Sequence, residues 1–204
     1  MKYFVLFLLI ACQCFSIQAQ QRFIKSNTNT DFGSSIRILA TADKGWIVFS
    51  LDSLRMSKFN SCGITEWSKK YHLSNETISL TDIIKSKVNG FLLLTRLFNG
   101  IKSTCLVTRI DANGNIVWSK SYEDSYYDQY GYSINEDGQG NVLIYANMDY
   151  VNVPGYNMIL KLNYNGNIVW TKLYDHGGIW GGAIVTSDDG ILARTGSLFF
   201  KLIL

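Results

Sequence analysis

Short runs of alternating apolar and polar side chains follow one another along this chain, and turns rich in glycine and asparagine separate them. After the Asn113-Gly114 turn, Ile116, Trp118 and Lys120 would share one face of a strand, and the residues between them the other. Asn-Gly adopts positive φ at little cost, which suits a tight hairpin turn. The pattern therefore predicts a strand, a turn and a second strand.

The same stretch occurs more than once in the sequence. The run at 113–120 recurs at 165–172, and a degenerate copy lies at 62–69. Successive tryptophans of these copies are 51 and 52 residues apart, and each follows a glycine by four positions. A fixed period of this length is typical of repeat architectures. The structural residues of the repeat are Gly63, Trp67, Gly114, Trp118, Gly166 and Trp170.

Alignment of the copies places four strands in each unit, the second strongly apolar and the fourth carrying the tryptophan. The units cover about 31–73, 79–122, 130–174 and 182–204. Four antiparallel strands in about fifty residues are typical of a β-propeller blade. The sequence thus predicts an all-β fold, a β-propeller of four four-stranded antiparallel blades.

The fourth unit is expected to receive its outer strand from the other end of the domain. Residues 22–26 contain Phe23 and Lys25, an aromatic-x-lysine pair like the Trp-x-Lys pair of the repeat. We expect them to pair with 198–204 and to close the ring, which would remove two open sheet edges. The alternative is an open partial propeller.

Residues 1–19 have the pattern of a cleaved secretory signal, and the propeller domain is expected to span 20–204. Lys2 precedes an apolar run, and Ala19 ends a stretch of small and polar residues. Cys12 also fits a bacterial lipobox and would then carry a lipid anchor. The expected location is secreted or at the cell surface, without a transmembrane anchor after cleavage.

Composition excludes several function classes. The net charge of +3 is too small to indicate a nucleic-acid partner. After signal cleavage two cysteines remain, Cys62 and Cys105, without a Cys-x-x-Cys pair. The chain has two histidines, His72 and His176, without metal-ligand spacing. We expect no catalytic residue, no metal and no cofactor.

The full repeat pattern, Lys/Arg-Leu/Ile-Asn/Asp-x-Asn-Gly-Asn-Ile-Val-Trp-Ser/Thr-Lys-x-Tyr, resembles that of secreted bacterial β-propeller-type repeat proteins. Many of these are surface proteins exported by type IX secretion. The resemblance implies an exported propeller that serves as a binding or scaffold module. The spacing of glycine and tryptophan is also weakly similar to the quinoprotein repeat.

Aromatic side chains crowd the joints between units and form the candidate recognition surface. In a propeller, the loops from fourth to first strand and from second to third strand emerge on one face. Rings with a polar tip suit carbohydrate or protein recognition, although several could instead pack between blades. The candidate binding residues are Tyr126, Tyr127, Tyr130, Tyr150, Tyr156, His176 and Trp180.

The expected function is therefore that of a non-catalytic exported propeller with a protein or glycan partner of unknown identity. The alternative is a quinoprotein-like or other propeller enzyme whose active site the sequence does not reveal.

Overall fold

The computed structural model describes residues 36–50, 54–72, 77–150, 153–174, 182–186, 190–195 and 198–202. Within these ranges the chain forms fifteen strands and no helix. No helix long and apolar enough to cross a membrane occurs in the part of the chain that is described. Residues 22–26, expected to complete the fourth blade, and the predicted signal at 1–19 lie outside the described residues.

Fifteen strands form four sheets, each a simple antiparallel meander. The first sheet contains β1 (Ile36–Ala40), β2 (Trp46–Ser50), β3 (Arg55–Phe59) and β4 (Thr65–Lys70). The second contains β5 (Thr77–Lys85), β6 (Phe91–Phe98), β7 (Ser103–Ile110) and β8 (Ile116–Tyr122). The third contains β9 (Asp128–Glu136), β10 (Val142–Tyr150), β11 (Val153–Leu162) and β12 (Ile168–Tyr174). The fourth contains β13 (Gly182–Val185), β14 (Ile191–Thr195) and β15 (Leu198–Leu202).

This topology confirms the all-β fold of propeller blades. The first strands of neighbouring sheets contact one another, β1 with β5, β5 with β9 and β9 with β13. They therefore form the inner edge of the array, and the tryptophan strands β4, β8 and β12 form its outer edge. Three of the four sheets have four strands, and the described part of the fourth has three.

The apolar second strands lie between neighbouring sheets, which explains their nearly continuous hydrophobicity. In β6, Leu92 and Leu94 belong to the core shared with the third sheet. Phe91 and Leu93, on the opposite face of the same strand, belong to the core shared with the first sheet. A strand buried on both faces has no solvent side on which polar residues could alternate.

The joint between the second and third sheets is held by the Trp-x-Lys-x-Tyr end of an outer strand. Trp118 donates its ring N–H to the carbonyl of Tyr164 at 3.0 Å. Lys120 donates to the side chain of Asn167 at 2.8 Å, and the Tyr122 hydroxyl donates to the carbonyl of Gly166 at 2.7 Å. We call this arrangement the inter-blade clasp. In it, the end of one outer strand binds the Asn-Gly-Asn turn of the next sheet.

The first and second sheets are joined by a second clasp of the same design. Trp67 lies against the turn glycine of the second sheet, since a Cβ added to Gly114 would stand 2.9 Å from its ring. Lys69 donates to Asn115 at 2.6 Å, and the Tyr71 hydroxyl donates to the carbonyl of Gly114 at 3.0 Å. The residues that make the repeat recognisable are therefore those that join the blades.

The third tryptophan strand carries the same motif. Trp170 packs against the core between the third and fourth sheets. The Lys172 ammonium lies 5.0 Å from the centre of the Trp170 ring. Gly63, the turn glycine of the first sheet, is buried like Gly114 and Gly166 and has a φ of 75°.

Candidate functional site

Polar side chains gather at one end of the third sheet, where β9 begins and β10 ends. Asp128 lies directly opposite Asp149 across the strand pair, and Tyr130 lies opposite Asn147. Residues opposite each other in an antiparallel pair, and those two positions further on, share a face. Two carboxylates, an amide and a phenol are thus presented together.

A β-bulge separates this end from the rest of the sheet. Tyr145 pairs with Ser133 and Ala146 pairs with Gly131, so Tyr132 is the extra residue of β9. A Cβ added to Gly131 would stand 2.8 Å from a methyl group of Leu94, so glycine allows β9 to approach β6 closely. Bulges of this kind re-aim side chains next to functional sites.

Arg96, from β6 of the second sheet, completes the group. Its guanidinium lies 4.6 Å from the centre of the Tyr130 ring, and its Nε donates to the Ser103 hydroxyl at 2.8 Å. The backbone N–H of Ser103 in turn donates to Asp128 at 2.6 Å. Because Ser103 begins β7, these contacts join the second sheet to the third at this point. We call Arg96, Asp128, Tyr130, Asn147 and Asp149 the polar end site.

Asp149 is held in an environment that disfavours its negative charge. Burial raises the pKa of its carboxyl group, and the nearby charge of Asp128 raises it further. Its Oδ1 accepts from the Asn147 amide at 3.4 Å and occupies the space that a Cβ on Gly155 would fill. Asn147 Oδ1 is buried and has no hydrogen-bond partner within the described residues. The site therefore holds an unused acceptor beside a carboxyl group that binds its proton more tightly than usual.

Four of the seven predicted binding residues can be placed with their side chains. Tyr130 belongs to the polar end site itself. Tyr127 and Tyr156 meet edge to face with ring centres 6.1 Å apart, and they pack against the core between the second and third sheets. Tyr126 is 76% exposed.

The other three predicted residues are not described at the level of side chains. Tyr150 ends β10, and its side chain is outside the described part of the structure. His176 and Trp180 lie outside the described residues. Their predicted role in binding stays a prediction.

Sequence reasoning missed Arg96, Asp128, Asn147 and Asp149. Asp128 and Asp149 are 21 positions apart, and only the bulged register of β9 with β10 makes them neighbours. No repeated sequence feature marked these positions, because both strands, nine residues each, extend beyond the apolar part of the unit.

Neither remaining cysteine adds chemistry to this site. Cys62 is exposed on a turn, whereas Cys105 is buried, and burial raises the pKa of its thiol to about 12. Cys105 thus stays protonated and unreactive at neutral pH. The described ranges contain no group of three or more histidine, cysteine, aspartate or glutamate residues that could hold a metal ion.

The sequence matches no protein-family model and no curated protein. Among solved structures, the fold resembles a catalytically inactive variant of virginiamycin B lyase from Staphylococcus aureus in complex with quinupristin. The TM-score is 0.55 at 14% identity, over 89% of this chain and 58% of the lyase. The chain therefore spans less than two thirds of the length of that propeller.

Two further solved structures are more distant. A streptogramin B lyase aligns with a TM-score of 0.32 at 8% identity, over 90% of this chain and 83% of the lyase. A protein of unknown function from Bacteroides caccae aligns with a TM-score of 0.39 at 9% identity, over 83% of this chain and 68% of that one.

The first of these comparisons corrects the expectation that the chain is not an enzyme. That expectation rested on the sequence pattern alone, yet the similar blades of virginiamycin B lyase belong to a protein named for its catalysis. At 14% identity the likeness shows the fold alone, and it assigns no catalytic residue to this chain.

Proposed function

We propose that the protein binds a carbohydrate at the polar end site. The observation that carries the proposal is the Asp128–Asp149 pair lying beside Tyr130, whose ring is covered by the Arg96 guanidinium. Carboxylates accept hydrogen bonds from sugar hydroxyl groups, and the guanidinium donates to ring and hydroxyl oxygens. Exposed Tyr126 offers an apolar face of the kind on which a sugar ring stacks.

The unused Asn147 acceptor supports a hydroxylated ligand rather than an apolar one. A buried carbonyl oxygen without a partner costs about 1–3 kcal/mol, and a ligand hydroxyl that donates to it would recover part of this. A protein partner at the same place is the competing outcome, and a test of glycan binding distinguishes the two.

The test is a glycan array followed by calorimetry on the glycans that bind. Asp128→Asn keeps the acceptor for the Ser103 N–H and removes one charge, so we expect affinity to fall about tenfold, as for a charge-assisted hydrogen bond. Tyr126→Ala should weaken binding, whereas Tyr126→Phe should not, because stacking needs the ring alone.

The control variant for this test is Asp111→Asn. Asp111 lies in the turn at the opposite, outer end of the second sheet, where its side chain accepts from Asn113 and Asn115. Its replacement should leave glycan affinity unchanged. Failure of every glycan to bind, or binding that ignores Asp128→Asn, would contradict the proposal and direct attention to a protein partner.

Catalysis is the second candidate function, and the environment of Asp149 favours it. A carboxyl group with a raised pKa beside a second carboxyl group is an arrangement that general acid–base catalysis uses. Incubation of the bound glycan with the protein, followed by mass spectrometry of the products, tests this role. Turnover that Asp149→Asn abolishes while binding persists would support it, and an unchanged glycan would argue against it.

The protein is further proposed to be exported, as the signal pattern at 1–19 and the resemblance to secreted bacterial repeat proteins indicate. Mass spectrometry of the mature protein would show an N-terminus near Gln20 for a cleaved signal. A lipid-modified Cys12 would show the lipoprotein alternative, and an intact Met1 would contradict both.

A further inference from the structure

A cleft of about 280 Å³ opens between the second and third sheets, near the loop that joins β8 to β9. Its floor is apolar and formed by Met148, Met158 and Leu160, all of which belong to the core between the sheets. Leu173 of β12 lines its open side and is 52% exposed. The cleft thus offers a ligand an apolar interior that is reached from solvent.

The charged side chains that line this cleft are both acidic. Glu123 and Asp124 line it, and neither lysine nor arginine does so among the described residues. Gln129 is 4% exposed and lines the cleft as well, and its Oε1 has no hydrogen-bond partner in the described part of the chain. A buried acceptor left unpaired is destabilising unless a ligand or water donates to it.

We propose that this cleft binds a small aliphatic amine in its protonated form. The alkyl stem lies against Met148, Met158 and Leu160, and the ammonium group donates to the carboxylates of Glu123 and Asp124 and to Gln129 Oε1. Methionine side chains adapt to ligands of irregular shape because they are unbranched and flexible. An ammonium group has three donors, which match the two carboxylates and the Gln129 oxygen.

The size of the cleft limits the ligand. At about 30 Å³ for each water-sized group, the volume accommodates roughly nine non-hydrogen atoms. A six-carbon chain with one ammonium group fits this limit, whereas an oligosaccharide does not.

This site is separate from the proposed carbohydrate site. Gln129 and Met148 form one pair across β9 and β10, and Asp128 and Asp149 form the next pair. None of the residues of the polar end site lines the cleft. Either proposal can therefore fail without the other.

The experiment is a methyl NMR titration of the mature protein, labelled at the methionine methyl groups, with n-hexylammonium chloride. The methyl signals of Met148 and Met158 should shift together and saturate. Met56, buried in the core between the first and second sheets, is the internal control and should not move. 1-Hexanol and hexanoate, of the same chain length, should bind more weakly, hexanoate least because of the carboxylates at the cleft.

Two variants test the polar contacts. Glu123→Gln should weaken hexylammonium binding about fivefold, the effect expected of one exposed ion pair. Gln129→Leu removes the buried acceptor and should weaken it further. Glu66→Gln, a charge removed from the first sheet, is the matched control and should have no effect.

Three results would overturn the proposal. One is equal binding of hexylammonium and 1-hexanol, and another is equal shifts at Met56 and at the two cleft methionines. The third concerns the source of the amine: binding of N-acetyl-lysine methylamide without binding of hexylammonium would assign the cleft to a lysine side chain of a partner protein.

Discussion

Gly166 meets two requirements that other residue types cannot meet together. Its φ of 73° lies in the left-handed region, where a side chain is strained. A Cβ there would also stand 3.0 Å from the Trp118 ring, so the neighbouring sheet leaves little room for a side chain at this position. Glycine at this place serves both the turn and the joint between the second and third sheets.

Gly166→Ala should therefore destabilise the protein by about 2–4 kcal/mol, the sum of backbone strain and a displaced ring. Gly100→Ala is the matched control, because Gly100 also has positive φ, at 91°, but a Cβ there meets nothing within 4 Å. It should cost about 1–2 kcal/mol, the backbone strain alone. Equal losses for the two variants in urea unfolding would show that the ring contact contributes nothing.

At the level of the strand, a basic residue stands opposite the tryptophan in each of the first three sheets. Lys58 pairs with Trp67, Arg109 with Trp118 and Lys161 with Trp170. Lys58 and Lys161 reach acidic residues of the turn between first and second strands of their own sheets, Asp43 at 2.5 Å and Asp137 at 3.3 Å.

The second sheet differs because the corresponding turn, 86–90, carries no acidic residue. Arg109 therefore crosses the joint and donates to Glu136 of the third sheet at 2.9 Å. Ser86 also donates to Glu136, and the Arg109 guanidinium lies 4.3 Å from the centre of the Tyr164 ring. Both charged side chains are about 1% exposed, so this ion pair is almost fully removed from water.

Glu136→Gln should cost about 3–5 kcal/mol, because it leaves the buried guanidinium without a counter-charge. The loss should be nearly independent of salt, since ions do not reach the pair. Asp43→Asn, which breaks the more exposed pair with Lys58, is the control and should have a much smaller effect that salt weakens further. Similar losses of stability for the two variants would show that burial does not increase the contribution of the Arg109–Glu136 pair to the free energy of unfolding.

The strands and their order could be predicted from sequence because the repeat fixes them. Each unit returns the same turn glycine and the same tryptophan, so an error in one copy is corrected by the others. The polar end site could not be predicted in this way. The bulge at Tyr132 is itself repeated, since Thr81 is the extra residue at the equivalent place in β5. The site also depends on Arg96 from another sheet and on the pairing of Asp128 with Asp149, which the repeat does not mark.

At the scale of the whole molecule, two aspartates, Asp149 and Asp137, contribute to stability with opposite dependence on pH. The raised pKa of Asp149 means that the folded state holds its proton more tightly than the unfolded chain does. Stability from this group is therefore present at acidic pH and is lost as pH rises through the raised value. Asp137 behaves in the opposite way. Burial raises its pKa, but hydrogen bonds from Asn141, Gln139 and Lys161 lower it more, so its stabilisation is lost as pH falls.

Thermal unfolding between about pH 3 and pH 7 separates the two contributions. Asp149→Asn should raise the melting temperature at neutral pH relative to the parent protein and leave it nearly unchanged at acidic pH. Asp137→Asn should lower it at neutral pH, with the difference shrinking towards acid. A uniform offset at every pH for Asp149→Asn would show that its carboxyl group titrates in the folded protein as it does in the unfolded chain.

The inter-blade clasp has a consequence for how such a chain can change in evolution. The first two joints are built from the same parts, an outer strand end on one side and an Asn-Gly-Asn turn on the other. A duplicated unit would bring both parts with it and fit between its neighbours without any new interface. Gene lengths in a lineage of such arrays should then differ by whole multiples of about 51 codons, and intermediate lengths should be rare.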